Sequence, residues 1–133
     1  AGAVMRWVDE AAGVCAARWT GHENVVAVFA GGVRFVRNVR VGDLVRVDAL
    51  LVHTTDRSMH VALRVYAGRR TSRRPRLVAH SISVMVDVSD EGRAGVVRRY
   101  VPVSEAARRL EESAVELVRL RSEMGAAWTY ARP

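Results

Sequence analysis

The stretch MRWVDEAAGV, residues 5–14, places one aspartate, Asp9, inside a segment of small and apolar side chains. Apolar residues recur around it at the spacing of an α-helix, namely Val4, Trp7, Val8, Ala11, Val14 and Cys15. The alanines and Gly13 leave so little side chain that another backbone can approach closely. We therefore expect a helix from about residue 4 to residue 18, ending near Gly21 and packed inside the fold.

The segment AGAVMRWVDEAAG, residues 1–13, resembles the run GG-x-L-M-x-W-M-D-E-A-A-G of the hotdog-fold acyl-CoA thioesterases, the acyl-CoA hydrolase family. Residues 25–28, VVAV, and residues 33–45, VRFVRNVRVGDLV, are similar to the family's VVTV and M-x-F-x-x-P-V-x-V-G-D-L-V. The weaker match is RSMHV, residues 57–61, against T-S-M-x-V. The resemblance implies an α+β fold in which a curved antiparallel sheet wraps around a long central helix.

A thioester is already activated, so its hydrolysis needs a positioned water or nucleophile and donors for the oxyanion. Gly2 and Ala3 lie at the predicted N-terminus of the first helix, where unpaired backbone N–H groups favour negative charge. Asp9 follows about two turns later, and we expect its apolar neighbours to desolvate it partly and raise its pKa. The resemblance implies that Asp9 is the catalytic general base or nucleophile, whereas Glu10 is a residue of the helix surface or an interface.

The resemblance also suggests residues that bind coenzyme A. Arg57 and Ser58 of the third motif are candidates, and Arg34 and Arg37 are weaker ones, because the planar fork of arginine suits phosphate groups. Each of these residues is also compatible with a simple exposed position. Coenzyme A is part of the substrate and the product, so no separate cofactor is expected.

Several positions depart from the family pattern. The family's H-G-G, an upstream Asn and its first strand would precede Ala1, so an N-terminal strand is expected to be missing. Gly31 and Gly32 stand where the family has Asp and a larger residue, and Asn38 replaces a proline. Two glycines in a strand predict a bulge or a close backbone approach.

The rest of the chain predicts one α+β domain over residues 1–133. Strands are expected at residues 25–29, 33–36, 44–53, 59–66 and 77–88, with turns at residues 42–43 and 54–57 and an arginine-rich loop at residues 68–76. A C-terminal helix is expected over residues 104–124, capped by Ser104 and carrying the pair Glu105 and Arg109. Its apolar stripe predicts packing on the chain's own sheet or on a neighbouring subunit.

Composition limits the classes of protein and partner. All 21 basic residues are arginine and the net charge is +7, but the arginines are scattered, which disfavours a nucleic-acid partner. No apolar run reaches the length of a membrane span, and a single cysteine without a signal-peptide pattern indicates the cytoplasm. The four histidines form no metal-ligand spacing, so no metal is expected. A homodimer, associated further as a trimer of dimers, is expected from the resemblance.

Other functions stay open at this point. A hotdog module could bind acyl-CoA without turnover, as a sensor or an assembly subunit. A related hotdog dehydratase or hydratase pairs an acid with a histidine, and residues 56–60, DRSMH, lack the spacing of that subgroup. A nucleic-acid binder is the most distant alternative. Cys15 is a possible nucleophile, but a small, buried helix residue is the more common role.

Overall fold

The structure is a computed structural model that describes residues 2–31, 33–88 and 95–131, with side chains as far as residue 123. Two helices and five strands follow one another in this order: α1 (Gly2–Thr20), β1 (Val25–Ala30), β2 (Arg34–Phe35), β3 (Leu44–Thr54), β4 (Met59–Gly68), β5 (Arg76–Asp87) and α2 (Glu105–Ala131). These elements match the predicted sequence of one helix, a series of strands and a final helix.

The strands form one antiparallel sheet in the order β1-β5-β4-β3, and β2 also pairs with β5. Val25 lies opposite Asp87 and Phe35 lies opposite Ala79, so β1 and β2 run one after the other along the same edge of β5. Between them, Gly31 comes so close to β5 that a Cβ there would lie 3.0 Å from the carbonyl oxygen of Ile82. The predicted close backbone approach is confirmed at Gly31, and Gly32 lies outside the described residues.

Helix α1 packs on one face of the sheet and contacts β1, β3, β4 and β5. Every fourth residue of the helix is buried, namely Val4, Val8, Ala12 and Ala16. The alternate residues of β4 that meet this stripe are also buried, namely Met59, Val61, Leu63, Val65 and Ala67. Small side chains in α1 allow this close packing, which confirms the expected central helix. The helix ends where Gly21 adopts a φ of 77° and donates its N–H to the Ala17 carbonyl at 2.8 Å.

Strand β3 contains a bulge between Leu51 and His53, where its pairing with β4 shifts by one residue. Leu51 belongs to the core beneath α1, whereas Val52 packs in a second cluster with Ala114 of α2. His53 also faces α2, because its Nδ1 lies 2.8 Å from Oε2 of Glu111. The extra residue therefore turns two consecutive side chains toward the same face of the sheet.

Helix α2 covers that opposite face and contacts β3. Ser104 caps it as predicted, since its Oγ accepts the N–H of Ala107 at 3.0 Å, and Arg109 pairs with Glu105 at 2.8 Å. The predicted end at residue 124 is wrong, because the helix continues to Ala131. Ala126 and Ala127 have high helix propensity and extend it past Gly125. In the described part of the chain, neither helix is apolar over the length that a membrane crossing needs.

The segment 95–104 connects the sheet to α2 and ties distant parts of the fold together. Val97 donates its N–H to the carbonyl of Asp56 at 2.8 Å, and Tyr100 donates its N–H to Oγ1 of the buried Thr54 at 2.9 Å. Trp19, near the end of α1, donates from Nε1 to the carbonyl of Arg98 at 2.9 Å. This connection therefore fixes the C-terminal end of α1 beside the β3–β4 hairpin.

Candidate active site

An open cavity of about 560 Å³ lies against the first turns of α1. Ala3, Val4 and Trp7 form its helical wall. The opposite wall runs from the end of β2 to the start of β3, mainly Phe35, Val39, Val41 and Val45. Most of these side chains are apolar. The cavity therefore suits a hydrophobic group held close to the N-terminus of a helix.

A tight turn shapes the second wall of the cavity. Gly42 has a φ of 92°, which favours glycine, and the N–H of Asp43 donates to the Arg40 carbonyl at 3.1 Å. The carboxylate of Asp43 accepts the Arg40 N–H at 3.0 Å through Oδ2. The turn predicted at residues 42–43 is confirmed, and it directs the chain from the cavity into β3.

Gly2 is the first residue of α1 and is exposed. The first N–H groups of a helix have no acceptor within the helix and carry a partial positive charge. A Cβ built on Gly2 would meet nothing within 4 Å, so the space beside this residue is open. The arrangement can accept an oxyanion, and Ala3 connects it to the apolar cavity.

Asp9 is exposed, although a partly desolvated carboxylate was expected. Its side chain makes no hydrogen bond or ion pair with the residues that the structure describes. The buried stripe of α1 passes through Val8 and Ala12, and Asp9 lies beside this stripe rather than on it. Apolar neighbours in the sequence do not bury Asp9, because they face the chain's own sheet.

Asp9 and the cavity lie on different faces of α1 within one chain. At about 100° per residue, Asp9 points about 160° away from Trp7 around the helix axis. Asp9 is accordingly absent from the walls of the cavity. Within one chain, the helix N-terminus that can accept an oxyanion and the carboxylate of Asp9 therefore do not meet in one site. Glu10 is exposed, which fits the expected position on the helix surface.

Cys15 is partly buried beside β3. Burial raises the pKa of its thiol above the ordinary value, more than the Leu51 backbone and Arg18 lower it. A raised pKa disfavours the thiolate that nucleophilic catalysis needs. The structure thus supports the packing role of Cys15 over the nucleophilic one.

The four candidate residues for coenzyme A binding do not form one site on a single chain. Arg57 and Ser58 lie in the β3–β4 hairpin, where Thr55 Oγ1 is 2.6 Å from Ser58 Oγ. The opposite end of β3 is about 30 Å away, from about 3.3 Å per residue. Arg37 lies near that opposite end, and Arg34 is exposed in β2 opposite His80. Within a single chain, Arg57 and Ser58 therefore lie at one end of the sheet and Arg37 lies near the other.

Sequence patterns did not predict two groups of ionisable residues. The first joins His53, His60 and Glu111 beneath α2, with the two imidazole rings perpendicular at 4.9 Å between centroids. Burial and the nearby His53 lower the pKa of His60 from 6.5 to about 4. The turn at residues 55–58 could have predicted that these two histidines meet, because a hairpin at this turn places residues 53 and 60 opposite each other.

The second missed group is a cleft lined by arginines at the end of the sheet that carries the turn at residues 40–43. Its residues come from two segments about 30 positions apart in the chain, so no local motif marks it. Among the described residues, no group of three or more His, Cys, Asp and Glu side chains is placed to hold a metal ion.

Comparison with known proteins gives the family. The family model of the thioesterase superfamily matches residues 1–73. No curated protein sequence matches the chain. Among solved structures, an acyl-CoA hydrolase from Bacillus cereus is similar over 97% of this chain and 78% of that one, with a TM-score of 0.86 and 26% identity.

Two further solved structures are similar along nearly the whole chain. A hexameric acyl-CoA thioesterase, solved without ligand, is 28% identical with a TM-score of 0.86, over 94% of this chain and 80% of that one. An acyl-CoA hydrolase from Staphylococcus aureus, solved with butyryl coenzyme A and coenzyme A, shares the fold at 22% identity, with a TM-score of 0.84 over 97% of this chain and 78% of that one.

These similarities confirm the hotdog fold and the class of enzyme, a thioester hydrolase. The family match also covers the helix and the turn that form the cavity. Because that match spans more than half of the sequence, this protein belongs to the thioesterase superfamily.

Proposed function

We propose that this protein hydrolyses acyl-CoA to a free carboxylic acid and coenzyme A. The observation that carries the proposal is the apolar cavity against the open N-terminus of α1. A cavity of about 560 Å³ has room for an acyl chain, and the helix amides at its edge suit the carbonyl oxygen of a thioester. Similar solved proteins described as acyl-CoA hydrolases or thioesterases support this choice of substrate.

The N–H groups at Gly2 and Ala3 are proposed to form the oxyanion hole. As the carbonyl carbon of the thioester becomes tetrahedral, its oxygen gains negative charge, which these amides and the helix dipole stabilise. The open space beside Gly2 leaves room for a substrate at this end of the helix. These interactions strengthen as charge develops, so they favour the transition state over the bound substrate.

Asp9 is proposed to act as the general base or as the nucleophile. As a base, it takes a proton from water while the water oxygen bonds to the carbonyl carbon; the tetrahedral intermediate then expels the thiolate of coenzyme A. As a nucleophile, its carboxylate displaces that thiolate and forms an anhydride, which water hydrolyses. In both routes the thiolate gains a proton and the acid is released.

We propose that a second copy of the chain completes the site. Asp9 and the cavity lie on different faces of α1, so a homodimer can place Asp9 of one protomer at the cavity of its partner. Helix α1 also leaves apolar side chains open, with Met5 48%, Trp7 39% and Val14 59% exposed. A partner that covers these residues would also desolvate Asp9. A trimer of such dimers is proposed from the hexameric relative.

The remaining site residues are proposals of the same kind. Arg57 and Ser58, together with Arg34 and Arg37, are proposed to contact coenzyme A, and their separation on one chain means that different protomers would supply them. No metal or separate cofactor takes part in the proposed reaction. A cytoplasmic location is proposed, where acyl-CoA and a reduced Cys15 would both occur.

The test is release of free thiol from acyl-CoAs of increasing chain length. We expect Asp9→Asn to lower turnover about a hundredfold or more while acyl-CoA binding persists. Glu10→Gln, the neighbouring exposed acid on the same helix, is the matched control and is expected to keep its activity. Equal turnover in Asp9→Asn and the wild type would remove Asp9 from the mechanism.

A mixing experiment tests the shared site. Ala3→Trp should fill the cavity, so this variant and Asp9→Asn are each expected to be inactive alone. Mixed dimers of the two contain one site with an intact cavity and an intact Asp9, and activity is expected to return. No recovery in verified mixed dimers would place both groups in one chain.

The second candidate is an acyl-CoA-binding module without turnover. The observation that favours it is that Asp9 is exposed and does not line the cavity. Acyl-CoA binding by the wild type, without thiol release at any chain length, would select this function.

A further inference from the structure

Two turns at one end of the sheet enclose a cleft of about 630 Å³. One is the turn at residues 40–43, and the other is the loop between β4 and β5. Five arginines from these turns and from the residues beside them line the cleft: Arg37, Arg40, Arg69, Arg74 and Arg76. The antiparallel sheet places these two segments side by side, although they are distant in the sequence.

Positive charge exceeds negative charge in this arginine cleft. Within residues 2–31, 33–88 and 95–131, none of the five arginines forms an ion pair. The carboxylate in the cleft is that of Asp43, whose Oδ2 already accepts the backbone N–H of Arg40. By contrast, Arg46 pairs with Asp48 and Arg109 with Glu105. The cleft therefore offers an excess of guanidinium groups to an anion.

The loop between β4 and β5, which carries Arg69 and Arg74, is held by its own hydrogen bonds. Ser72 donates its N–H to the carbonyl of Arg69 at 2.9 Å, and Arg74 donates its N–H to Oγ of Ser72 at 3.3 Å. The loop closes tightly, since a Cβ on Gly68 would lie 3.3 Å from Cα of Pro75. These contacts fix the backbone beneath the arginines and lower the entropy lost on binding.

The arginine cleft adjoins the apolar cavity at α1. Asn38, Arg40 and Asp43 line both spaces. A long ligand can therefore hold an apolar end in the cavity while its anionic end meets the arginines. Planar guanidinium groups bind phosphate oxygens in pairs, which gives both affinity and orientation.

We propose that the arginine cleft binds the phosphate groups of the nucleotide part of coenzyme A, its 3′-phosphate and its diphosphate. This inference rests on the proposed function for its choice of ligand. It adds Arg40, Arg69, Arg74 and Arg76 as binding residues, and it assigns Arg37 to the same group. The coenzyme A part of the substrate then extends from the oxyanion hole toward the β4–β5 loop.

The test uses the full chain and coenzyme A itself as the calorimetric probe. Arg69→Gln/Arg76→Gln removes two charges from the cleft, and Arg108→Gln/Arg121→Gln removes two from exposed positions of α2. We expect the affinity for coenzyme A to fall about tenfold or more in the cleft variant and to stay within about twofold in the control. Adenosine 3′,5′-bisphosphate should show the same pattern, and circular dichroism should show equal folding.

Substrate preference and thioester hydrolysis separate the cleft proposal from the proposed activity. The preference for acyl-CoA over the phosphate-free acyl-pantetheine is expected to fall in the cleft variant. Binding through the arginines without thioester hydrolysis would keep the cleft and overturn the proposed activity. Equal affinity for coenzyme A in the cleft variant and the control, no binding by the wild type, or stronger binding of an oligonucleotide would each overturn the cleft assignment.

Discussion

The guanidinium of Arg98 lies 3.8 Å from the centroid of the Trp19 ring, and its Nη2 donates to the Trp19 carbonyl at 3.2 Å. Trp19 returns a hydrogen bond from Nε1 to the Arg98 carbonyl. Two residues 79 positions apart are thus joined by a cation–π contact and by a hydrogen bond from each side chain to the backbone carbonyl of the other. This contact attaches the connection before α2 to the C-terminal end of α1.

Arg98→Gln is expected to destabilise the fold by about 1 kcal/mol, because it removes a cation–π contact and a hydrogen bond at a partly exposed site. The free energy of unfolding in urea measures the effect. Arg99→Gln, which changes the neighbouring exposed arginine, is the control and should leave that free energy nearly unchanged. Equal losses in both variants would show that net charge, rather than the contact with Trp19, matters.

Acid is expected to destabilise the protein through His60. Burial and His53 lower the pKa of His60 from 6.5 to about 4 in the folded chain, and its Nδ1 is buried without a hydrogen-bond partner. The unfolded chain therefore binds the proton first as the pH falls. The contribution to stability is complete above about pH 6.5 and is lost down to about pH 4, by about 3 kcal/mol.

Urea unfolding between pH 4 and pH 7 tests this dependence. His60→Gln is expected to flatten the decrease in the free energy of unfolding, since glutamine does not titrate. His22→Gln changes an exposed histidine and should keep the slope of the wild type. An unchanged slope in His60→Gln would assign the acid sensitivity to other groups.

Gly31→Ala is expected to lower the free energy of unfolding by about 1–3 kcal/mol. The added Cβ would lie 3.0 Å from the Ile82 oxygen and 3.2 Å from its Cγ2, so the backbone at Gly31 would have to shift away from β5. Gly13→Ala is a control of opposite sign, because its Cβ meets nothing within 4 Å and alanine favours the helix by about 1 kcal/mol. Thermal unfolding should move in opposite directions for the two variants.

Ser104→Ala is expected to cost about 1 kcal/mol by leaving the Ala107 N–H at the start of α2 without its acceptor. Ser113→Ala, an exposed position inside the same helix, is the control and should be neutral or slightly stabilising. The urea midpoint measures both. A loss shared by the two variants would indicate an effect of the hydroxyl group in general rather than of the cap.

Local patterns in the sequence predicted the fold well. Helical spacing placed Val4 and Val8 on the buried side of α1, although Trp7 and Val14 of the same predicted set are exposed. The turn at residues 54–57 predicted the β3–β4 hairpin. Ser104 marked the start of α2 because its capping hydrogen bond involves residues only three positions apart. Each of these features depends on neighbours in the chain, which a sequence pattern records.

The site was less predictable, because its parts meet through tertiary structure. Asp9 has apolar neighbours in sequence, yet those neighbours turn toward the sheet and leave it exposed. The arginine cleft combines Arg37 with Arg76, which approach only after the strands pair. Alternation of apolar residues also gives no sign of the extra residue in β3, since Val52 is itself apolar.

The bulge at Val52 lets β3 lose this residue without a change of register. Leu51 pairs with Val61 and His53 with His60, so deletion of Val52 leaves a regular ladder in which His53 still faces Glu111 of α2. The deletion removes only the valine that packs beneath Ala114. Elsewhere in β3 each residue has a partner in β4, so a deletion there would turn the side chains on one side of the gap to the opposite face of the sheet. Related chains can therefore differ in length at this one position of the strand while both layers stay in place.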